Sequence, residues 1–308
     1  MSTLRSALED YLAMRRSMGF KLDRAGRLLA QFVTHCETAG SETVTTQLAL
    51  SWATLPAAGS QAWHAGRLSV VRGFARYLAL LDERTEVPPP DLLNNRSHRA
   101  CPYLYSTDEV VALMDAAGGL PSPLRRATFS TLIGLLYVTG MRIGETLRLD
   151  RDDLDLVQQV IVVRGSKFGK AREVPIHEST TRALGVYARQ RKELCPRPSS
   201  PAFFISLAGT RLRYDNFHLC FQALVREARL TPHSPMCRPR PHDLRHTFAV
   251  STLIDWYRHG FEVEPRMPRL STYLGHVHPA NTYWYLEAAP ELLALAAARL
   301  EANAEPDA

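Results

Sequence analysis

Apolar positions recur at helical spacing through residues 4–81, in four blocks separated near Gly19, Gly40 and Gly59, and no alternating stretch interrupts them. That is the pattern of a small helical bundle. The first block sets Leu4, Leu8, Tyr11 and Leu12 on one side, with Arg5, Arg15 and Arg16 elsewhere; the second carries Lys21, Arg24 and Arg27 ahead of Leu28, Leu29, Phe32 and Val33. In the fourth, Ser60 is a ready N-cap, Leu68, Val71, Ala75 and Leu78 make a core stripe, and Arg67, Arg72 and Arg76 are expected to face outward. Residues 82–102 break the pattern. Val87-Pro88-Pro89-Pro90 is held extended by proline geometry, and Asn94-Asn95-Arg96-Ser97-His98-Arg99 is polar and basic. The expected organisation is a helical domain over 1–85, a linker over 86–102 and a second domain over 103–308.

The second domain mixes two periods. Ser106 and Glu109 have capping-box spacing at the head of a helix running to about 117, and a more buried helix over 124–139 stops at Gly140. Through 154–176 the period shortens to two. Val160-Ile161-Val162-Val163 and Glu173-Val174-Pro175-Ile176 flank the basic, glycine-containing run Arg164-Gly165-Ser166-Lys167-Phe168-Gly169-Lys170-Ala171-Arg172, which predicts a β-hairpin with a charged tip. Helices are expected over 178–194 and 214–229, with a strand-like 202–206 between them. A helix starting near 242 runs past Trp256 and Tyr257, both read as core, and 261–268 reads as a loop. A short helix closed by Gly275 leaves His276 at an outward-facing turn, and a last helix spans 290–302. The fold class is mainly α with a small antiparallel β-sheet.

Composition narrows the function without naming it. The 308 residues are 45% hydrophobic and 22% charged, enough for a normal core in two domains. The formal charge is +6, and arginine far outnumbers lysine, which favours a polyanionic partner. Cys36, Cys101, Cys195, Cys220 and Cys237 are scattered along the chain, with neither zinc-ribbon nor disulfide-framework spacing, so reduced thiols in the cytoplasm are expected. The early Glu9 and Asp10, without a long apolar run, suit neither a signal peptide nor a membrane span.

Several short stretches hold residues suited to one anion site. In Pro241-His242-Asp243-Leu244-Arg245-His246, the three-residue spacing puts His242 and Arg245 on one helix face, pairing a fixed guanidinium with an imidazole that titrates near neutrality. An exposed helix start with ordinary ion pairs is the plain alternative for this stretch alone. Arg142 follows the helix-ending Gly140 against an apolar wall, with Glu145 one turn on to orient it. The hairpin tip offers Lys167, with Lys170 as a competitor. Leu274-Gly275-His276 is followed nine residues later by Tyr285, with Tyr283 two residues away from it.

Taken in order, the Arg after a helix-ending Gly, the Lys-x-x-Lys-x-Arg-x-Val-Pro hairpin, His-x-x-Arg-His and Leu-Gly-His with its later tyrosine resemble the tyrosine recombinase (phage-integrase) family. The motifs cover about 107–286; residues 4–81 resemble that family's helical core-binding, DNA-binding domain only in composition and position. The resemblance implies that Arg142 and Arg245 hold the scissile phosphate, Lys167 protonates the leaving 5′-hydroxyl, and His242 and His276 assist proton transfer and phosphate binding. Tyr285 is then the nucleophile that forms a 3′-phosphotyrosyl link. The physical chemistry agrees: fixed arginine donors stabilise a phosphodiester transition state without reorganising, and a phenol with a pKa near 10 needs positive surroundings or a base.

The resemblance further implies no cofactor and no metal, a double-stranded DNA substrate, a synaptic tetramer on DNA, and a possible partner recombinase or accessory protein. It also implies a cytoplasmic, nucleoid-associated protein. Arg67, Arg72, Arg76, Arg96, Arg99, Lys170 and Arg172 become candidate DNA contacts. A terminal helix carrying Leu292, Leu293, Leu295 and Leu300 either docks in a neighbouring subunit or packs in cis. A type IB topoisomerase or a catalytically silent DNA-binding protein are the competing functions, and integration, resolution and transposition are not distinguished.

Overall fold

A computed structural model describes residues 3–55, 57–93, 101–164, 171–234, 236–276, 282–283, 285 and 290–304. The chain divides into two compact units, Met1–Arg99 and Ala100–Ala308. The first holds α1 (Thr3–Ser17), α2 (Asp23–Thr38), α3 (Thr46–Thr54) and α4 (Gln61–Leu78). Leu8, Leu29, Phe32, Trp52, Leu68, Val71 and Phe74 form its core. Ser60 caps α4 by accepting from the Trp63 amide at 3.2 Å.

Two expectations for this unit change. Arg67 does not face outward. It is 6% exposed, with its guanidinium 3.7 Å from the Trp52 ring centroid and Nη2 donating to the Trp52 carbonyl at 2.8 Å. Position 67 borders the stripe of Leu68 and Val71, and a flat guanidinium can be buried there because an aromatic face and a helix-end carbonyl both accept its charge. Arg72 is half-buried and donates to the carbonyls of Pro88 (2.7 Å) and Pro89 (2.8 Å). The proline run, which cannot donate, is thus fastened to the helical unit through its acceptors. Residues 86–93 belong with that unit, since Glu86 also bonds Val44 and Thr46 and Leu93 packs on the core. Arg76 stays exposed; Arg96 and Arg99 lie outside the described residues.

The second unit contains α5 (Thr107–Gly118), α6 (Pro123–Thr139), α7 (Ile143–Thr146), α8 (Glu178–Leu194), α9 (Tyr214–Glu227), α10 (Asp243–Arg258), α11 (Met267–Leu274) and α12 (Pro290–Ala304). The Ser106–Glu109 capping box forms in both directions. A three-stranded antiparallel sheet, order β1-β2-β3, is made of Leu154–Asp155, Val160–Val163 and Arg172–Pro175. Its register pairs Ile161 with Val174 and Val163 with Arg172. The fold is mainly helical with this one small sheet, and residues 202–206 make only isolated bridges.

Residues 264–266 form a 3₁₀ turn that runs into α11, rather than the loop expected there. Pro268 fits because the first turn of a helix has no partner for its missing N–H. In this chain α12 packs in cis on α10: Leu292 is buried, and Arg258 pairs with Glu291 at 2.6 Å.

Candidate active site

Two helices end on glycine, and those ends organise the site. Gly140 closes α6 at φ +59° and Gly275 closes α11 at φ +69°, left-handed geometry in which a Cβ is strained. A Cβ on Gly140 would also lie 2.5 Å from Phe248. Carbonyls at a helix C-terminus lack intrahelical partners and carry the negative end of the helix dipole, so guanidinium groups collect there. Arg245 donates to Gly140 O at 2.8 Å and to Leu274 O at 2.7 Å. Arg142 donates to Gly275 O at 2.9 Å and to Glu145 Oε1 at 2.8 Å. Both arginines therefore converge on the same end of α11.

Arg245 is only 2% exposed, and no carboxylate pairs with it among the described residues. Burial, then the like charge of Arg142, lowers its pKa to about 10. The Tyr285 phenol is hydrogen-bonded to this guanidinium and is itself 2% exposed, whereas Tyr283 is 44% exposed. His276 does not face freely outward. Its ring stacks on Tyr285 at 5.9 Å, and Nδ1 bonds Thr282 Oγ1 at 2.7 Å, which leaves Nε2 as the free edge.

His242 precedes the first residue of α10 with an edge open to solvent. Crowding by protein atoms, then the charges of Arg245, Arg142 and Arg240, depresses its pKa to about 4. His276 is depressed to about 4 by burial, then by Arg245 and Arg142. Both imidazoles are therefore neutral at pH 7 while no anion is bound.

Glu145 is buried between two arginines. Burial alone would raise its pKa, but hydrogen bonds and charge from Arg172 and then Arg142 bring it to about 2. Arg172, a candidate DNA contact above, is mostly covered, because its strand face is the one turned to the core. Asp243, fully buried, is held by Arg240 at 2.9 Å through both oxygens. Lys167 and Lys170 lie outside the described residues.

The structure thus brings together Arg142, Glu145, His242, Arg245, His276 and Tyr285. It adds His246, whose ring lies 4.8 Å from His242 and 5.5 Å from Tyr285, and Thr282. The four-residue spacing from His242 was the available signal for His246. Thr282 had none, since only folding brings it to His276.

The phage integrase family model matches residues 104–291. The chain belongs to that family. It is 44% identical over 98% of both chains to the "Putative integrase/recombinase y4rB" of Sinorhizobium fredii. To tyrosine recombinase XerC of Azotobacter vinelandii it is 30% identical over 91% of this chain and 89% of that one. Among solved structures, the Tn1549 transposon integrase in complex with transposon right end DNA superposes with a TM-score of 0.65 at 18% identity, covering 99% of this chain and all of that one. A lambda integrase tetramer bound to a Holliday junction gives 0.59 at 18% identity, over 92% and 76%. At such identities the last two speak for the fold; membership rests on the family model and the relatives. Among the described residues no helix is long and apolar enough to cross a membrane.

Proposed function

We propose that this integrase-family chain is a site-specific DNA recombinase that breaks and rejoins DNA through a phosphotyrosine at Tyr285. The observation that carries the reading is the pair of guanidiniums from Arg142 and Arg245 on one helix end, with the Tyr285 phenol bonded to the second. A scissile phosphate placed against Arg142 and Arg245 receives fixed donors for its non-bridging oxygens, and these strengthen as charge builds in the transition state. The Tyr285 oxygen attacks phosphorus, the P–O5′ bond breaks, and Lys167 supplies the proton to the departing 5′-hydroxyl. His242 and His276, neutral before DNA binds, accept or share protons at the phosphate edge. The phosphoester bond is kept as a 3′-phosphotyrosine until a 5′-hydroxyl of the partner strand attacks and releases the phenol.

Double-stranded DNA is the substrate, and strand exchange between two duplexes calls for a tetramer like that of lambda integrase on a Holliday junction. The likeness to a transposon integrase and to the y4rB relative supports a role in a mobile element. The helical unit, with exposed Arg76, serves as the second DNA-gripping half, and residues 86–93, fastened to it through Glu86, Pro88 and Pro89, extend it beyond the boundary at 85 expected above. A partner recombinase or accessory protein and nucleoid association belong to this reading as well.

The test is covalent trapping. Protein is mixed with DNA from its own genomic neighbourhood, quenched in detergent and compared with Tyr285→Phe and Tyr283→Phe. An adduct lost only with Tyr285→Phe supports the reading. Firm, salt-sensitive binding without any adduct would favour a silent DNA-binding protein, and site-independent relaxation of supercoils by the monomer a topoisomerase.

A further inference from the structure

Three successive carbonyls at the end of α11 each receive a different arginine. Tyr273 O accepts from Arg172 Nε at 3.0 Å, Leu274 O from Arg245 at 2.7 Å, and Gly275 O from Arg142 at 2.9 Å. The phosphate reading uses the last two and leaves Arg172 without a task. Its side chain is 12% exposed. Arg172 Nη2 lies 2.8 Å from Glu145 Oε2 and Nη1 lies 3.2 Å from Glu145 Oε1, a two-point grip on the carboxylate that also touches Arg142. The guanidinium lies against Gly275, where an added Cβ would come 2.8 Å from Nη1. It reaches there because residues opposite one another in an antiparallel pair share a face: Arg172 sits across from buried Val163 and two residues before buried Val174.

We infer that Arg172 is a positioning residue for the cleavage reaction. It neutralises one side of Glu145 and joins the root of the hairpin, five residues after Lys167, to the helix end that orients Arg142 and Arg245. Without it, the whole charge of a buried carboxylate falls on Arg142, drawing that guanidinium out of the position in which it meets phosphate. A lysine cannot substitute. One ammonium does not span both carboxylate oxygens and the Tyr273 carbonyl. The inference rests on the recombinase reading given above.

Its test is single-turnover cleavage of a nicked, self-trapping DNA substrate by full-length protein, with DNA affinity and thermal melting measured alongside. Arg172→Ala is expected to lower the first-order cleavage rate about 10²-fold while the Kd for DNA changes by no more than about twofold. Arg172→Lys, which keeps charge and bulk, is expected to lose most of the same rate. The decisive variant is Arg172→Ala with Glu145→Gln. Removing the unbalanced carboxylate should restore cleavage at least about fivefold over Arg172→Ala alone, because coupled residues do not add. Losses that instead multiply, or unchanged cleavage with weakened, less salt-dependent binding, would overturn the assignment in favour of packing or a surface phosphate contact. A wild-type protein that forms no adduct with its DNA would overturn the recombinase reading, and this inference with it.

A separate observation concerns two thiols far apart in sequence. Cys101 is exposed and Cys237 buried, yet both thiols donate to one and the same acceptor, the Pro102 carbonyl, at 3.8 and 3.4 Å. The geometry points to Cys101 and Cys237 as a dithiol that a two-electron oxidant such as a peroxide closes to a disulfide, fastening the entry of the second unit to the segment leading into α10. The exposed Cys101 sulfur attacks the O–O bond, becoming a sulfenic acid with release of water. The Cys237 sulfur then displaces the hydroxyl as a second water, so the two thiols lose two electrons and the peroxide gains them.

Full-length protein treated with hydrogen peroxide and then alkylated should yield a 101–237 linked peptide by mass spectrometry and lose two of its five alkylatable thiols. Dithiothreitol should restore both, and Cys101→Ser should abolish the link. Cys237 fully alkylated while Cys101 is oxidised to sulfinic acid, or linked elsewhere, would refute the pairing.

Discussion

Both units bury an arginine without a carboxylate beside it, and the two are used in opposite ways. In the helical unit Arg67 spreads its charge over the Trp52 face and donates through Nη2 to one carbonyl, while its buried Nε has no hydrogen-bond partner among the described residues. In the second unit Arg245 sits on two carbonyls and a phenol within the field of Arg142, which leaves an excess of positive charge that a phosphate would relieve. Burial of an arginine is therefore not in itself a sign of function. What distinguishes the site is a second cation aimed at the same spot, and the depressed imidazoles beside it.

Substitutions can break this comparison, and the largest effect is expected at the proposed nucleophile. Tyr285→Phe should lower covalent adduct formation on the order of 10⁴-fold or more, with Tyr283→Phe within a few-fold of wild type by detergent trapping. Next come the two arginines. Arg245→Ala should slow cleavage about 10²- to 10³-fold with little loss of DNA binding. Arg67→Ala should instead destabilise the helical unit by about 2–3 kcal/mol, seen in thermal melts, with cleavage by the folded fraction unchanged. Equal loss of cleavage in both would erase the distinction.

A smaller effect is expected from pH. His242 and His276 are depressed to about 4 in the folded chain, so as pH falls below about 6.5 the unfolded chain binds protons first. Stability from these groups is intact above that pH and is lost as pH falls towards 4. A bound phosphate reverses the bias by raising both pKa values. DNA binding near pH 5.5 should therefore take up on the order of one proton, measurable by calorimetry in buffers of different ionisation enthalpy and absent when both histidines are replaced by Asn. The smallest effect belongs to the surface. Arg76→Ala should lower the salt dependence of DNA binding by about one phosphate contact. Arg72→Ala, its donors already committed to Pro88 and Pro89, should change that slope less.

The helices were legible because each carries its own instructions: the Ser60 cap, the Ser106–Glu109 box and the αL stops at Gly140 and Gly275 act within one turn. Arg142, Glu145, His242, Arg245, His276 and Tyr285 were nameable because their order and spacing match a family pattern. Arg67 was misplaced and the covering of Arg172 was not foreseen because arginine is ordinarily exposed, and the acceptors that bury these two come from α3 in one case and from α7 and α11 in the other. The alternation of Arg172 with Val174 was the one local hint, outweighed by the charge of the hairpin around it.

By itself, then, the sequence determined the helical periods, the caps and stops and the hairpin, since all of these depend on neighbours a few positions away, and the order of its motifs singled out the residues proposed to grip and attack a phosphate. Only the tertiary structure decided that three arginines share the end of α11, that Thr282 orients His276, and that Cys101 and Cys237 share the Pro102 carbonyl. Those pairings join residues up to 135 positions apart, and no local pattern encodes which buried carbonyl or hydroxyl a distant side chain will find.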